Sequence, residues 1–205
     1  TVRDVIQIGL VKEGGATVEE VETIDGMITN QQLLNTIMVH WTCKLGSVPN
    51  IQQAKQYLDK GLQCLLDEGS SVTGSELAAA MATRGVLGQT IHSFMINNGY
   101  DLIVTPTVVR VALDAFPSDI YWIREDPSTG NKTAAWKQEV QANCLGSFTY
   151  VCNLTKQPAC TVPAGFSPTS HLPIGIQFVG PINADELVLQ TSFAFEQLQW
   201  SSRPI

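Results

Sequence analysis

Residues 159–180 read ACTVPAGFSPTSHLPIGIQFVG, and the way this stretch divides settles the fold class. ACTVPAG (159–165) and IGIQFVG (174–180) are short apolar runs. The Pro/Ser/Thr-rich FSPTSHLP between them is turn-forming, so the pair reads as two strands. Just upstream, DLIVTPT (101–107) is a continuous apolar run bounded by turn residues, as expected of a buried strand. It follows a helical pattern over 75–98, built on Leu77, Ala80, Met81, Leu87, Ile91, Phe94 and Met95 and stopped by Asn97, Asn98 and Gly99. Helix, tight turn and buried strand in succession predict an α/β sheet.

Working outward, Asn183 is expected to open a final helix with Glu186 as its capping partner. Its inward face would be Leu187, Val188, Thr191, Ala194, Phe195 and Leu198. Upstream, Leu33, Leu34, Ile37, Met38 and Trp41 form one apolar stripe, and Ile51, Ala54, Leu58, Leu62 and Leu65 another. The first residues put Val2, Val5, Ile6 and Leu10 on one helical face that ends at Gly14-Gly15; ATVEEVE (16–22) is a candidate strand. Between Asp114 and about Ser147 periodicity fades, apart from a short helical pattern near Trp136 and Val140. So long an irregular connection is usually functional or a lid. A helix starting at Thr1 with no lead-in strand suggests a piece of something longer.

Composition excludes several classes. The 205 residues, 44% of them hydrophobic, suffice for one sizeable core or a large part of a bigger one. The net charge of −7 argues against nucleic acid and anionic membrane surfaces as partners. No 18-residue apolar run exists, because Pro106 and Arg110 break the richest one, and TVRDVIQIGL lacks a signal-peptide pattern. Five widely spaced cysteines without CxxC read as reduced thiols of a cytoplasmic protein, with no metal site and no cofactor expected. The sequons NKT (131–133) and NLT (153–155) matter only in a secreted protein and are discounted.

The best nucleophile candidate is EGSSVTGSELAAA (68–80), whose small residues would let backbone N–H groups approach an oxyanion. Thr73 and Glu76, however, fit a capping box for the helix that follows, and Glu68-Gly69 reads as the stop of the helix before. No lysine or histidine is implied nearby as a base. His40, His92 and His171 are scattered, and Cys160 with His171 is only a formal pair because Cys160 falls in a core strand. Thr1 carries the groups of an N-terminal nucleophile, but that chemistry uses a sheet edge and Thr1 begins a helical pattern. No nucleophile, base and orienter come together, so no catalytic residue is expected in this chain.

The tail carries a more specific signal. NLTKQPACTVPAG (153–165), LPIGIQFVG (172–180) and the helix DELVLQTSFAFEQ (185–197) together resemble the amidase signature family. Its members show an Asn, a Pro-Ala leading an apolar strand to Pro-x-Gly, and then a Leu-Pro-Ile-Gly-x-Gln-x-x-Gly strand. YDLIVTPT (100–107) is similar to the family's D-x-L-x-x-P-T strand, and the preceding helix with Leu77, Ala80 and Arg84 to the family's helix there. VRDVIQIGLVKEGGATVEEVE (2–22) resembles the start of the family's second half, and WSSRP (200–204) a family C-terminus. One departure is Lys156, which stands where the family's turn has glycine. Either that turn is reshaped or the charge points to the cleft or to solvent, and solvent is the expectation.

The resemblance implies an α/β fold, the C-terminal part of an amidase-signature α/β/α sandwich with a mixed sheet covered by helices. Residues 1–205 would be the C-terminal half of a single amidase domain. The family's Ser-Ser-Lys triad would then lie in an N-terminal half outside this chain, and GSSVTGS (69–75) would only mimic the serine loop. The implied partners are that half, from the same gene product or a separate chain, and a small-molecule amide. Half a sandwich would expose apolar surface, met by the partner chain or by homo-oligomers. Thr107, Thr149, Cys152 and Asn153 resemble cleft-lining positions, with Trp41 contributing from the second helix; strand-end bonding or core packing is the other reading of each. Hydrolysis would belong to the intact enzyme. The alternative is a non-catalytic structural or binding fragment, or one component of a split amidase or amidotransferase.

Overall fold

The computed structural model describes residues 6, 10, 11, 14–58, 60–112, 124–125, 132–133 and 147–201. Their order is α1 (Asn30–Gly46), α2 (Ile51–Ala54) with a short 3-10 turn (Lys55–Tyr57), α3 (Lys60–Ser71), α4 (Gly74–Asn98), β1 (Ile103–Pro106), β2 (Arg124–Glu125), β3 (Lys132–Thr133), α5 (Ser147–Thr155), β4 (Ala159–Phe166), β5 (Pro173–Val179) and α6 (Asp185–Ser201). The chain forms two compact units, one of residues 1–27, 87–112 and 148–205, the other of residues 28–86 and 113–147. The expectations for Thr1, Trp136, Val140 and 202–204 lie outside the described residues.

In the first unit the sheet order is β1-β5-β4. β5 pairs antiparallel with both neighbours, Thr105 and Thr161 both standing opposite Gln177. The predicted strands at 101–107, 159–165 and 174–180 are therefore all present, and the α/β reading holds. Alternation sends Val162, Ile176 and Phe178 to one face, where Val188 and Phe195 of α6 meet them. The rings of Phe178 and Phe195 meet edge-on, 5.5 Å between centroids. Each ring, buried this fully, contributes about 1.5–3 kcal/mol of hydrophobic stabilisation. Leu10 joins the cluster and Ile6 packs against it, which is what the described residues show of the first helical pattern.

The VPAG run has a specific geometry. A register shift between Pro163 and Gly165 makes a bulge in β4, and Gly165 carries φ 109°, a conformation that suits glycine. Pro163 stands beside the bulge on a strand that has β5 on one side in this sheet, where a missing N–H is tolerated.

The end of α4 follows the predicted stop closely. Tyr100 N–H donates to the Met95 carbonyl (2.9 Å) and Gly99 N–H to that of Ile96 (3.2 Å), a Schellman motif with Gly99 at φ 68°. The Phe94 and Tyr100 rings, 5.2 Å apart, supply its apolar contact. Leu87, Ile91 and Met95 repeat every four residues and are buried, whereas Met81 of the expected stripe is exposed.

Several expectations are corrected. ATVEEVE (16–22) is irregular, with Val18 and Val21 exposed rather than alternating in a sheet. The α6 helix begins at Asp185, and Val188 N–H donates to Ala184; Asn183 lies before it in the left-handed region, φ 68°, and does not cap it. On its inner face Ser192 replaces Ala194, which is exposed.

In the second unit α1 buries Leu33, Leu34, Ile37 and Met38, but Trp41 lies at the margin of the stripe, 37% exposed. The stripe expected over 51–65 is not one helix. Leu58 is extended (ψ 152°) and separates α2 and its 3-10 turn from α3. Along α3, Leu66 is buried and Leu62 exposed. Between 114 and 147, Arg124–Glu125 pairs antiparallel with Lys132–Thr133.

Candidate functional site

The serine pair is structural. Ser70 Oγ donates to the Asp67 carbonyl (2.6 Å) and Ser71 Oγ to that of Glu68 (2.8 Å), each closing back onto its own helix. Thr73 and Glu76 form the expected capping box: Thr73 N–H donates to the Glu76 carboxylate (2.7 Å) and Glu76 N–H to Thr73 Oγ1 (3.2 Å). The backbone and hydroxyl bonds from Thr73 hold the Glu76 carboxyl below its ordinary range. Gly69 is not a helix stop, since α3 runs on to Ser71. A Cβ there would stand 2.5 Å from the Thr42 carbonyl oxygen, so α1 and α3 meet at a point only glycine allows.

Cys160 and His171 do not pair. Cys160, opposite Phe178, packs against the core near the open end of the hairpin, while His171 is exposed in its turn. His40 Nδ1 donates to the Thr36 carbonyl at 2.8 Å, one turn back in its own helix. Among the described residues no group of three or more His, Cys, Asp and Glu is gathered to hold a metal ion, and no helix is long and apolar enough to cross a membrane.

Four of the five candidate cleft residues belong to the first unit, around the sheet face opposite the α6 core. Thr107 follows β1 and is half-buried; its N–H donates to the Gly175 carbonyl (3.1 Å) and its hydroxyl to Thr161 Oγ1 (3.4 Å). Thr149, Cys152 and Asn153 lie on α5, a helix that periodicity does not predict; their spacing of three and four residues puts them on one helical face. Asn153 is exposed, and Thr149 and Cys152 are partly buried. Burial pushes the Cys152 thiol up to about 11, so at neutral pH it is a protonated, weak nucleophile. Trp41 belongs to the other unit.

The residue that joins these elements is Gln177, 3% exposed on the central strand. Its Nε2 donates to Thr105 Oγ1 (3.3 Å), two residues before Thr107, and to the Phe148 carbonyl (3.2 Å) in the first turn of α5. Sequence reasoning passes over Gln177 as one letter of IGIQFVG. The signal was a carboxamide between Ile176 and Phe178 in a buried strand, which must find partners there.

Beyond Gln177, α5 is fixed at its end as well. Thr155 Oγ1 lies 2.9 Å from both the Val151 carbonyl and Gln157 Oε1, and Gln157 Nε2 donates to Met95 Sδ (3.7 Å). Lys156 closes the helix in the left-handed region, φ 62°, its N–H donating to the Cys152 carbonyl (2.9 Å). The turn thus keeps the conformation a glycine would give, and the residue is exposed.

Residues 51–189 match the amidase family profile, and with them the whole β1–β5–β4 arrangement. The chain belongs to the amidase signature family. It is 31% identical over 140 residues to an acylamidase of Rhodococcus erythropolis, across 68% of this chain and 26% of that protein. It is 34% identical over 97 residues to a glutamyl-tRNA(Gln) amidotransferase component of Thermus thermophilus, across 47% of this chain and 16% of that one. Among solved structures, a 6-aminohexanoate cyclic dimer hydrolase superposes with a TM-score of 0.70 at 20% identity, over 98% of this chain and 41% of that one. A bacterial aryl acylamidase gives 0.66 at 19%, over 100% and 43%. These likenesses establish the amidase-signature fold. The chain therefore spans less than half the length of the relatives it matches.

Proposed function

We propose that residues 1–205 form the C-terminal half of an amidase domain that hydrolyses a small-molecule amide. This half supplies core strands and one wall of the substrate cleft, with Thr107, Thr149, Cys152 and Asn153 lining it. The Ser-Ser-Lys triad comes from the N-terminal half, in the same gene product or a separate chain. There one serine attacks the amide carbonyl, the second serine and the lysine relay protons, and backbone N–H groups stabilise the oxyanion. The observation that carries this reading is the use made of the one serine pair here that looks catalytic: Ser70 and Ser71 both donate into helix carbonyls. With that pair used in this way, the reading draws the nucleophile from the rest of the domain. The cytoplasmic setting rests on the sequence, where five widely spaced cysteines without CxxC fit reduced thiols.

The test is to assay an aryl acylamide with the chain alone and with the N-terminal half supplied. Hydrolysis is expected with both halves present. Turnover by the chain alone would overturn the division of labour. The second reading, one component of a multi-chain amidotransferase, is favoured by the identity to the Thermus thermophilus protein. Glutamine hydrolysis that depends on further chains would select it over a free-standing amidase.

A further inference from the structure

We propose that Gln177 is a positioning residue of the amide-binding wall, clamping helix α5 to the end of strand β1. This deepens the amidase reading and rests on it. A carboxamide –NH2 has two protons, and here Gln177 Nε2 has two acceptors, on elements 72 and 29 residues away in sequence. One acceptor is the Phe148 carbonyl, one residue before Thr149 and four before Cys152. The other is the hydroxyl of Thr105, whose side chain shares a strand face with that of Thr107. One buried group therefore sets both carriers of the wall.

The surroundings make the clamp specific. Gln177 sits on the central strand, between Thr105 and Thr161 across the sheet, while the side chains before and after it, Ile176 and Phe178, point into the α6 core. Two residues away on the same face, Gly175 leaves the space that the Thr107 hydroxyl uses. An apolar side chain of similar volume at 177 would fill the site but leave the Phe148 carbonyl and Thr105 hydroxyl without this donor. A glutamate would keep the shape but, when ionised, set a carboxylate oxygen against the Phe148 carbonyl, which has no proton to give. The bonds, rather than the volume, hold α5 in register with β1.

The experiment uses Gln177→Met and Gln177→Glu, with Phe178→Leu as a control that loosens the core on the opposite face. Amide hydrogen exchange is followed in this chain, and kinetics with an aryl acylamide are followed in the complete enzyme. Both Gln177 variants are expected to speed exchange in 149–155 by about tenfold or more while β4 stays protected. KM should rise about tenfold with kcat nearly unchanged, as for lost positioning of bound substrate. Phe178→Leu should lower overall stability without that KM effect. Unchanged protection of 149–155 in Gln177→Met would overturn the clamp, and so would an unchanged KM in an active enzyme. If the wild-type complete enzyme hydrolyses no amide, the amidase reading fails instead, and the exchange result still decides the clamp.

Discussion

The hydroxyl oxygen of Thr107 lies 2.6 Å from where a Cβ on Gly175 would stand, and Thr107 N–H donates to the Gly175 carbonyl. The glycine in the IGIQFVG strand is thus the seat of the threonine after β1. Gly175→Ala should destabilise the fold by about 1–3 kcal/mol through overpacking. Adding Thr107→Ala removes the nearest atom and should recover part of the loss. Urea denaturation of the two single variants and the double variant measures this coupling. Strictly additive losses would mean that Thr107 is not what Gly175 accommodates.

A second close approach, between Gly69 and Thr42, involves backbone, and backbone cannot rotate away. The Thr42 carbonyl oxygen and carbon lie 2.5 and 2.8 Å from a Cβ placed on Gly69. Gly69→Ala should therefore separate α1 from α3 and cost about 1–3 kcal/mol, despite alanine's better helix propensity. Ser70→Ala and Ser71→Ala, beside it, should lower stability only slightly and leave amide hydrolysis by the complete enzyme unchanged. Loss of turnover in either serine variant would reinstate GSSVTGS as a nucleophile loop.

The capping box gives α4 a pH dependence of known sign. Thr73 holds the Glu76 carboxyl below its ordinary value of 4.5, so folding favours the ionised form. The stabilisation is complete above that ordinary value and fades as pH falls through the lowered folded value. Glu76→Gln cannot ionise and lacks this dependence. Thermal melts should show wild type above Glu76→Gln at neutral pH, with the gap closing on acidification. A gap constant with pH would show that the ionised carboxylate is not the capping form.

What could be read from sequence were the features encoded locally. The strands at 101–107, 159–165 and 174–180, the Gly99 stop and the Thr73–Glu76 box each follow from a few consecutive residues. Features that depend on distant partners were not legible. Gly69 looked like a stop because the Thr42 carbonyl that requires it is 27 positions earlier. Helix α5 was hidden because hydrogen bonds that hold it, to Gln177 and through Gln157 to Met95, come from residues distant in sequence. The stripe expected over 51–65 was misjudged for a local reason that periodicity smooths over: the extended Leu58 breaks the helix after the 3-10 turn. For the site, four residues chosen by family resemblance fall on α5 and the end of β1, which one buried amide joins; the glutamine was in view as a letter of the strand motif, but its partners were not.

Lys156 offers the sharpest check on the turn that ends α5. It occupies the left-handed region, φ 62°, which costs a side-chain-bearing residue roughly 1–2 kcal/mol. Glycine avoids that cost but loses about 0.5–1 kcal/mol more in backbone entropy on folding. Lys156→Gly should therefore stabilise the protein by up to about 1 kcal/mol, whereas Lys156→Val should destabilise it, since a β-branched residue fits this region worst. Because the lysine is exposed, neither change should alter KM for a neutral amide in the complete enzyme. Urea midpoints and steady-state kinetics on the two variants separate the possibilities. A rise in KM with Lys156→Gly would place the ammonium in the cleft after all, and destabilisation by glycine would mean the backbone there is not left-handed in solution.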